Sequence, residues 1–413
     1  MKKVIVVGGG PAGMMAAAVA ARQGAKVTLL EKKEAVGKKL VITGKGRCNL
    51  TSAIPDDRFM AGYACNGRFL YSALHEFSSR DLIDFFADNG LKCKVERGQR
   101  VFPESDRAAD VVSILYQDLI HGGVELRKSV AVKGLYIHGG VLKGVATEQG
   151  RLEGGAVVIA TGGMSYPGTG STGDGYAWAR AAGHHIVEPR PGLVPLVTAE
   201  AWVKELQGLS LKNVRASSYR EDGKKINEEF GEMLFTHFGV SGPIILSMSR
   251  DIGEYLFSRG HKVKMLLDLK PALDEQQLDQ RLQKDLAKNT RRQFKNALDE
   301  LLPRKLIPVI IELSQIDPEK ECHQVTRDER KKLLHLLKGL ELGIVKTRPL
   351  AEAIVTAGGV DVKEVNPRTM ESRLLKDLFF AGEILDVDGY TGGFNLQAAF
   401  STGFVAGKNA ALL

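Results

Sequence analysis

The sequence predicts an α/β fold in which a Rossmann-type domain, built from both chain ends, is interrupted by a β-rich insert and a helical insert. Three observations carry this reading. A glycine-rich turn, Gly8-Gly9-Gly10-Pro11-Ala12-Gly13, lies between an apolar run and a small-residue stretch. Two further short apolar runs, Ala156 to Ala160 and Leu378 to Ala381, end in glycine at widely separated places. Between them the composition changes near Pro189-Arg190-Pro191 and near Asp274, then turns glycine-rich again after Lys346.

The first element is a buried strand, Val4 to Val7, because four apolar residues run without a break. The next, Met14 to Ala21, reads as a helix packed close to a sheet. The turn between them has G-x-G-x-x-G spacing. Gly8 permits the tight turn, Gly10 lets the backbone approach a pyrophosphate, and Gly13 lets helix and strand close together. Pro11 and Ala12 open the helix, whose unpaired N–H groups face the phosphates. A second strand, Val27 to Leu30, ends at Glu31, where a ribose-binding carboxylate belongs, and Lys32 follows it. A purely structural glycine turn leaves Glu31 unexplained.

Further elements follow in order. Phe69 to Asn89 and Ala108 to His121 read as helices, and 125–126, 130–137 and 141–147 as strands. Ala131 is assigned to the nucleotide site. Residues 191–272 alternate short apolar runs with Gly, Asn and Ser, a β-rich pattern. Residues 273–344 are rich in Leu, Lys, Gln and Glu, a helical pattern. The nucleotide domain then comprises 1–190 and 345–413.

With 413 residues, 44% hydrophobic and 26% charged, the composition is that of an ordinary globular protein. No apolar run is long enough to span a bilayer. Met1-Lys2-Lys3 leads straight into the first strand with no cleavage site, so a cytoplasmic location and no membrane partner are expected. Cys48, Cys65, Cys93 and Cys322 are scattered, with no C-x-x-C pair, so neither a redox disulfide nor a metal site is indicated. The net charge of +8 permits attraction to anions. Lys284 to Arg304 is strongly basic, but no aromatic-interleaved RNA motif accompanies it, and it reads as the wet face of amphipathic helices. No nucleic-acid partner is expected; a small-molecule substrate is.

Two more segments point to the ligand. The strand Val157 to Ala160 runs into Thr161-Gly162-Gly163. Near the C-terminus, Phe380-Ala381-Gly382-Glu383 is followed by Asp386 and by Tyr390-Thr391-Gly392-Gly393-Phe394-Asn395, which opens a final helix. An acid after a strand suits ribitol hydroxyls. A helix N-terminus suits the flavin N1/C2=O edge, which becomes negative on reduction. Three separated elements converging on one extended ligand imply FAD rather than NAD. A basic loop, Gly37 to Asn49, adds Lys39, Thr43, Gly44, Gly46, Arg47, Cys48 and Asn49 as cofactor candidates; its alternative is a solvated loop.

These strings together resemble the family of HI0933-like, or aminoacetone-oxidase-like, bacterial NAD(P)/FAD-dependent oxidoreductases. The carrying segments are GGGPAG at 8–13, GKKLVITGKGRCNLT at 37–51, ATGGMSYPGTGSTGDG at 160–175, GEMLFTHFGVSGP at 231–243 and AGEILDVDGYTGGFNLQ at 381–397. The resemblance implies a glutathione-reductase-like (Rossmann-type) FAD-binding domain, a β-barrel-like insert and a small helical subdomain. It implies no single substrate: amine oxidation and reduction of unsaturated bile-acid-like ketosteroids both occur in the family. Residues 160–175 also look like fumarate-reductase-type and ketosteroid-dehydrogenase-type flavoproteins. Within them Gly168 to Gly173 repeats G-x-G-x-x-G without a strand directly before it, so an NAD(P) site there is weaker than a cofactor-flanking loop.

The expected activity is an FAD-dependent oxidoreductase moving a hydride between a small organic substrate and flavin N5, with NAD(P)H or O2 as second electron partner. The alternatives are a tRNA-modifying or RNA-binding flavoprotein and a non-enzymatic flavin sensor. His237, within Phe235-Thr236-His237-Phe238 of the insert expected to roof the flavin, is a candidate proton relay; its alternative is a buried structural histidine. Tyr390 can protonate a substrate enolate or pack on the ring. Arg47 can hold a substrate carboxylate or carbonyl, or contact the cofactor. Cys48, beside Arg47, is either a lowered-pKa thiol or inert.

Overall fold

The computed structural model describes residues 1–259 and 262–412. The chain divides into two compact units, 1–192 with 350–413, and 193–349.

The first unit is built on a five-stranded parallel sheet, ordered Leu378–Phe380, Ala156–Ile159, Lys3–Val7, Lys26–Glu31, Glu125–Lys128. Parallel strands covered on both faces read as unbroken apolar runs, and Val4 to Val7 and Val157 to Ile159 are buried throughout. The register sets Val4 beside both Ala156 and Val27. All three glycine-bearing segments therefore leave the same carboxyl edge of one sheet, the edge at which such sheets bind ligands.

The first helix, Pro11–Arg22, starts with Pro at its first position, where the missing N–H costs nothing. The C-terminal helix, Phe394–Leu412, lies directly against it. The contact is backbone to backbone: a Cβ on Gly403 would sit 2.4 Å from the Ala12 carbonyl oxygen, and one on Gly407 would sit 2.2 Å from that of Ala16. The two chain termini are locked together by the small residues of both helices.

The stretch expected as one helix from Phe69 to Asn89 is two, Tyr71–Glu76 and Ser79–Asp88. Ser78 breaks it. Its hydroxyl accepts from the Asp81 N–H (3.2 Å) while the Asp81 carboxylate accepts from the Ser78 N–H (2.7 Å), a capping box that starts a new helix. A three-stranded antiparallel sheet, Val132–His138, Val141–Thr147 and Gly150–Glu153, completes the outer part of this unit with a second small sheet, Thr51–Ser52, Cys93–Glu96 and Arg100–Pro103.

The second unit is a closed six-stranded barrel, ordered Leu196–Thr198, Gly239–Ser241, Lys225–Thr236, Ser210–Tyr219, Val263–Asp268, Leu340–Thr347. The last strand closes on the first, pairing Thr347 with Leu196. Helices Glu275–Lys288, Ile307–Ser314 and Arg327–Lys338 lie between the fifth and sixth strands in sequence. Leu278, Leu282 and Leu286 of the first of them share one core with barrel residues Met233, Phe235 and Leu342. The division at 272/273 therefore cuts a single core, and the boundary at 344/345 cuts the closing strand. In the basic run, Lys288 pairs with Glu300 and Lys295 with Glu319, but only its first residues are on a helix, which ends at Lys288; the rest, to Arg304, is turns and a short 3-10 segment, Phe294–Asn296.

Candidate functional site

The first unit carries a pocket at the carboxyl edge of its sheet, lined by the glycine turn (Gly8 to Ala12), Glu31 and Lys32, Gly37 to Lys39, Ala160 to Gly162 and Gly382 with Glu383. Val130 and Val132, on either side of Ala131, complete one wall. The turn has the shape its sequence demands. Gly8 is left-handed (φ 108°), and a Cβ on Gly13 would stand 1.8 Å from the Gly8 carbonyl oxygen. A Cβ on Gly10 would meet nothing within 4 Å, so the space in front of the helix N-terminus is open.

At one end of the pocket the Glu31 carboxylate accepts from the N–H of Gly9 (2.7 Å) and of Lys33 (2.7 Å). Each oxygen keeps a second lone pair for a ribose hydroxyl. Lys32 donates to Asp174 (2.7 Å) and to Thr172. Burial works to raise the Asp174 carboxyl, but hydrogen bonds from Lys32 and Thr172 and the Lys32 charge hold it below the usual range. Thr169, Gly170 and Ser171 line the same pocket, so the glycine repeat at 168–173 forms a wall of the first site.

At the other end Glu383 is held from three directions. Its Oε1 accepts from the Thr356 N–H (2.7 Å) and the Ser165 hydroxyl (3.1 Å), and its Oε2 from Lys39 Nζ (2.6 Å). Lys39 also donates to Ser165 (2.6 Å). The Thr356 hydroxyl accepts from the N–H of Met164 (2.8 Å) and Ser165 (3.1 Å), and a Cβ on Gly163 would lie 2.3 Å from it. Neither Ser165, an interior residue of the 160–175 segment, nor Thr356, outside every motif, was legible as a site residue.

The basic loop divides in two. Lys39 enters the pocket. Thr43, Gly44, Gly46, Arg47 and Cys48 do not line it. Arg47 pairs with Glu96 and Asp106 (2.6 Å) and stacks 4.2 Å over the Phe102 ring. The hydrogen bonds it donates to Glu96 and Asp106 hold its guanidinium charged. Arg47 fastens the loop to the small sheet, and its candidacy for catalysis has no support in this geometry. Cys48 is fully buried, and burial pushes its thiol up to about 12, so the lowered-pKa alternative is corrected to an inert thiol. The Thr43 hydroxyl donates to the Leu40 carbonyl (2.7 Å).

Asn49 joins this loop to the C-terminal motif. With its amide oriented to suit its neighbours, it donates to the carbonyls of Thr51 (3.1 Å) and Val101 (3.2 Å) and accepts from the Gly393 N–H (3.0 Å). A Cβ on Gly393, itself left-handed (φ 100°), would lie 2.4 Å from the Thr51 carbonyl. Asn395 caps its own loop: its amide exchanges hydrogen bonds with Gly389 N–H (2.8 Å) and carbonyl (2.7 Å). Phe394 packs edge-on to Phe59 (5.1 Å) and Tyr63 (5.9 Å), and its carbonyl accepts from the Tyr63 hydroxyl (3.0 Å). The N–H of Tyr390 donates to the Gly62 carbonyl (2.9 Å), and the Asp386 carboxylate accepts from Asn66 (2.9 Å). Gly392 precedes the final helix in a left-handed conformation (φ 136°).

His237 belongs to the second unit. It sits in the two-residue hairpin between Lys225–Thr236 and Gly239–Ser241, its ring 4.9 Å from that of Phe238. Arg348 lies 4.5 Å over the other side chain of that pair, Phe238.

The residues of the first unit fit FAD. Acids stand at both ends of the pocket, an open helix N-terminus lies between them, and the Thr161 hydroxyl at the pocket edge is buried without a hydrogen-bond partner. Glu31 and the glycine turn suit the adenosine diphosphate half, and Glu383 with Lys39 the ribitol half. No group of three or more His, Cys, Asp or Glu among the described residues could hold a metal ion. No helix among them is long and apolar enough to cross a membrane. Lys39→Met is expected to leave the fold intact and to raise the FAD Kd about tenfold, near 1.4 kcal/mol, in a fluorescence titration; an unchanged Kd removes Lys39 from the site.

Comparison with known proteins agrees. The model of the HI0933-like protein Rossmann domain matches residues 2–409. A Clostridium scindens 3-dehydro-bile acid delta(4,6)-reductase is 35% identical over 416 residues, covering 100% of this chain and 99% of the relative. An Escherichia coli ribosomal RNA dihydrouridine synthase is 31% identical over 417 residues, covering 98% and 97%. Among solved structures, the Sterolibacterium denitrificans 3-ketosteroid delta1-dehydrogenase shares the fold over 100% of both chains, at TM-score 0.54 and 13% identity. The Rhodococcus jostii RHA1 3-ketosteroid-delta4-(5alpha)-dehydrogenase does so over 99% and 97%, at TM-score 0.50 and 15% identity. With its whole length matched and its pocket built for the cofactor, the chain belongs to the HI0933-like family of FAD-binding flavoprotein oxidoreductases.

Proposed function

We propose that the chain reduces a carbon–carbon double bond conjugated to a carbonyl in a small apolar molecule, with NAD(P)H as the electron source. One observation carries this reading: two relatives matched over nearly the whole chain have names that both denote saturation of such a bond. FAD, when bound, supplies the N5 centre through which two electrons pass as hydride. The chain's own residues hold that cofactor and supply a proton. Saturating the bond takes one hydride at the far carbon and one proton at the carbon next to the carbonyl. Tyr390, four residues before the first residue of the final helix, is the proposed donor of that proton, with His237 as the competing candidate.

The test is anaerobic mixing. FAD-loaded protein is bleached with NADH or NADPH and then exposed to a 4,6-dien-3-one steroid or to unmodified ribosomal RNA. Return of the flavin colour on adding the steroid, with a saturated product, is the expected result. A second reading, a uracil base in RNA, is favoured by the Escherichia coli relative and the net charge of +8. It predicts return of colour with RNA only, weakening steeply with salt. Failure of both compounds overturns the reaction class.

A further inference from the structure

The first unit contains a buried Ser–His–Glu chain away from the pocket lining. His184 is 2% exposed. Its Nε2 lies 2.7 Å from the Ser372 hydroxyl and its Nδ1 3.0 Å from the Glu364 carboxylate. The order of atoms imitates a hydrolytic triad, but Ser372 is not a nucleophile. It is buried, and its oxygen accepts from the N–H of both Leu374 (3.0 Å) and Leu375 (2.9 Å). A hydroxyl has two lone pairs and one proton. Both lone pairs are taken, so the proton is all that Ser372 can offer His184.

That arithmetic fixes the protonation state. Nε2 must accept, so Nδ1 carries the hydrogen and donates to Glu364, which also accepts from the His185 N–H (2.9 Å). A second proton on Nε2 would point at an oxygen with no lone pair left. The other charged groups on the surrounding elements are turned elsewhere. Arg373 donates to the Val365 carbonyl (3.4 Å), Glu371 accepts from the Asp377 N–H (2.9 Å), and Asp361 lies 3.7 Å from His185. The remaining face of the ring meets Phe380, 4.9 Å away and edge-on. Helix Asp174–Ala181 contributes the Ala179 carbonyl, which accepts from the His184 N–H (3.0 Å).

The chain ends on the strand that serves the pocket. Ser372 N–H donates to the Leu378 carbonyl (2.7 Å) and Phe380 N–H to the Met370 carbonyl (3.0 Å), so residues 370–372 strap the strand Leu378–Phe380. Three residues beyond Phe380 is Glu383. We propose that His184, Glu364 and Ser372 form an acid-sensitive latch, in which neutral His184 holds the strand that presents Glu383 and its protonation loosens the grip on FAD. These are positioning residues.

The sign follows from the geometry. Burial lowers His184 below the ordinary value of about 6.5, and the Glu364 charge and hydrogen bond oppose this only in part. The neutral form is the one the fold stabilises. Its contribution is complete above the ordinary histidine value and is lost as pH falls through the lowered one.

The experiment is FAD titration of the full chain by fluorescence between about pH 8 and about pH 5. Wild type should bind at least about tenfold more weakly at the acid end, the effect of one pK unit of differential interaction. His184→Asn should bind with a pH profile flat to within about twofold. A His184→Asn protein that folds and keeps the wild-type acid limb overturns the proposal. If that variant does not fold, Glu364→Gln decides. It keeps an acceptor for Nδ1–H but removes the charge that favours imidazolium, so the acid limb should move to lower pH by about one unit. An unmoved limb overturns the latch, because packing alone does not respond to that charge.

Discussion

Gly13→Ala is expected to give a protein that binds no FAD and has lost several kcal/mol of stability, while Gly10→Ala is expected to fold normally and still bind FAD about 100-fold more weakly. The two glycines are three residues apart in one motif, yet they do different work. At Gly13 the added methyl would stand 1.8 Å from the Gly8 carbonyl oxygen and 3.3 Å from the Ala160 side chain. Both neighbours belong to the buried sheet edge, so neither can retreat, and overpacking of this kind costs about 1–3 kcal/mol or more. At Gly10 the methyl meets nothing of the protein within 4 Å, and the backbone there is extended (φ −81°). Its only structural cost is the weak preference for glycine over alanine as an N-cap, under about 1 kcal/mol. What it fills is the space in front of the helix N-terminus. Thermal denaturation of the apoprotein and fluorescence titration with FAD separate the two outcomes. A Gly10→Ala protein with wild-type affinity would mean that the diphosphate does not lie against this turn.

The nucleotide unit was legible because its signals are local. A strand, a turn and a helix adjacent in sequence are adjacent in space, and Glu31 follows at a fixed offset along the next strand. The C-terminal motif was legible for the same reason, and the small residues of the last helix are explained by Gly403 and Gly407 against Ala12 and Ala16. The barrel was less so. Its first and last strands pair Leu196 with Thr347, and nothing near either residue announces a partner that far along the chain. The helices between the fifth and sixth strands looked like a separate body because amphipathic helices carry their own period; which core their Leu face enters is a tertiary fact.

Inside the site, adjacency in sequence does not mean a shared pocket. Arg47 and Cys48 share a loop with Lys39, and a basic glycine-rich loop near a cofactor motif invites assignment as a whole. The structure turns Arg47 to Glu96 and Phe102 of the small sheet and to Asp106 just beyond it, about 50 to 60 residues on, and buries Cys48. The clamp on Glu383 shows the converse. Thr356 and Ser165 come from separate segments, and only the fold brings their hydrogen bonds to one carboxylate. The break at Ser78 was readable in principle, since Ser-x-x-Asp is a capping-box pattern, but the apolar period runs on across it and hides the stop.

Tyr390→Phe is expected to slow product formation by about 100-fold or more while leaving the FAD Kd and the rate of bleaching by NAD(P)H within about twofold, because removing a positioned proton donor costs about 100- to 10,000-fold in the step that uses the proton. The substitution deletes one oxygen and keeps the ring. The main chain at this position is pinned independently of the hydroxyl: Tyr390 N–H donates to the Gly62 carbonyl, and the neighbouring strand Asp388–Gly389 pairs with Tyr63–Cys65. A change in kcat with cofactor binding unaltered therefore reports the hydroxyl and not a displaced loop. His237→Ala serves as the contrast. His237 occupies a hairpin tip of the barrel unit, and its removal should slow the same step only if imidazole rather than phenol is the acid. The rate of the product-forming step in the two variants divides the two cases: the acid is the residue whose loss slows that step while FAD binding and bleaching stay unchanged. Equal rates for wild type and Tyr390→Phe at every pH would remove Tyr390 from the chemistry and leave it a packing residue beside the final helix.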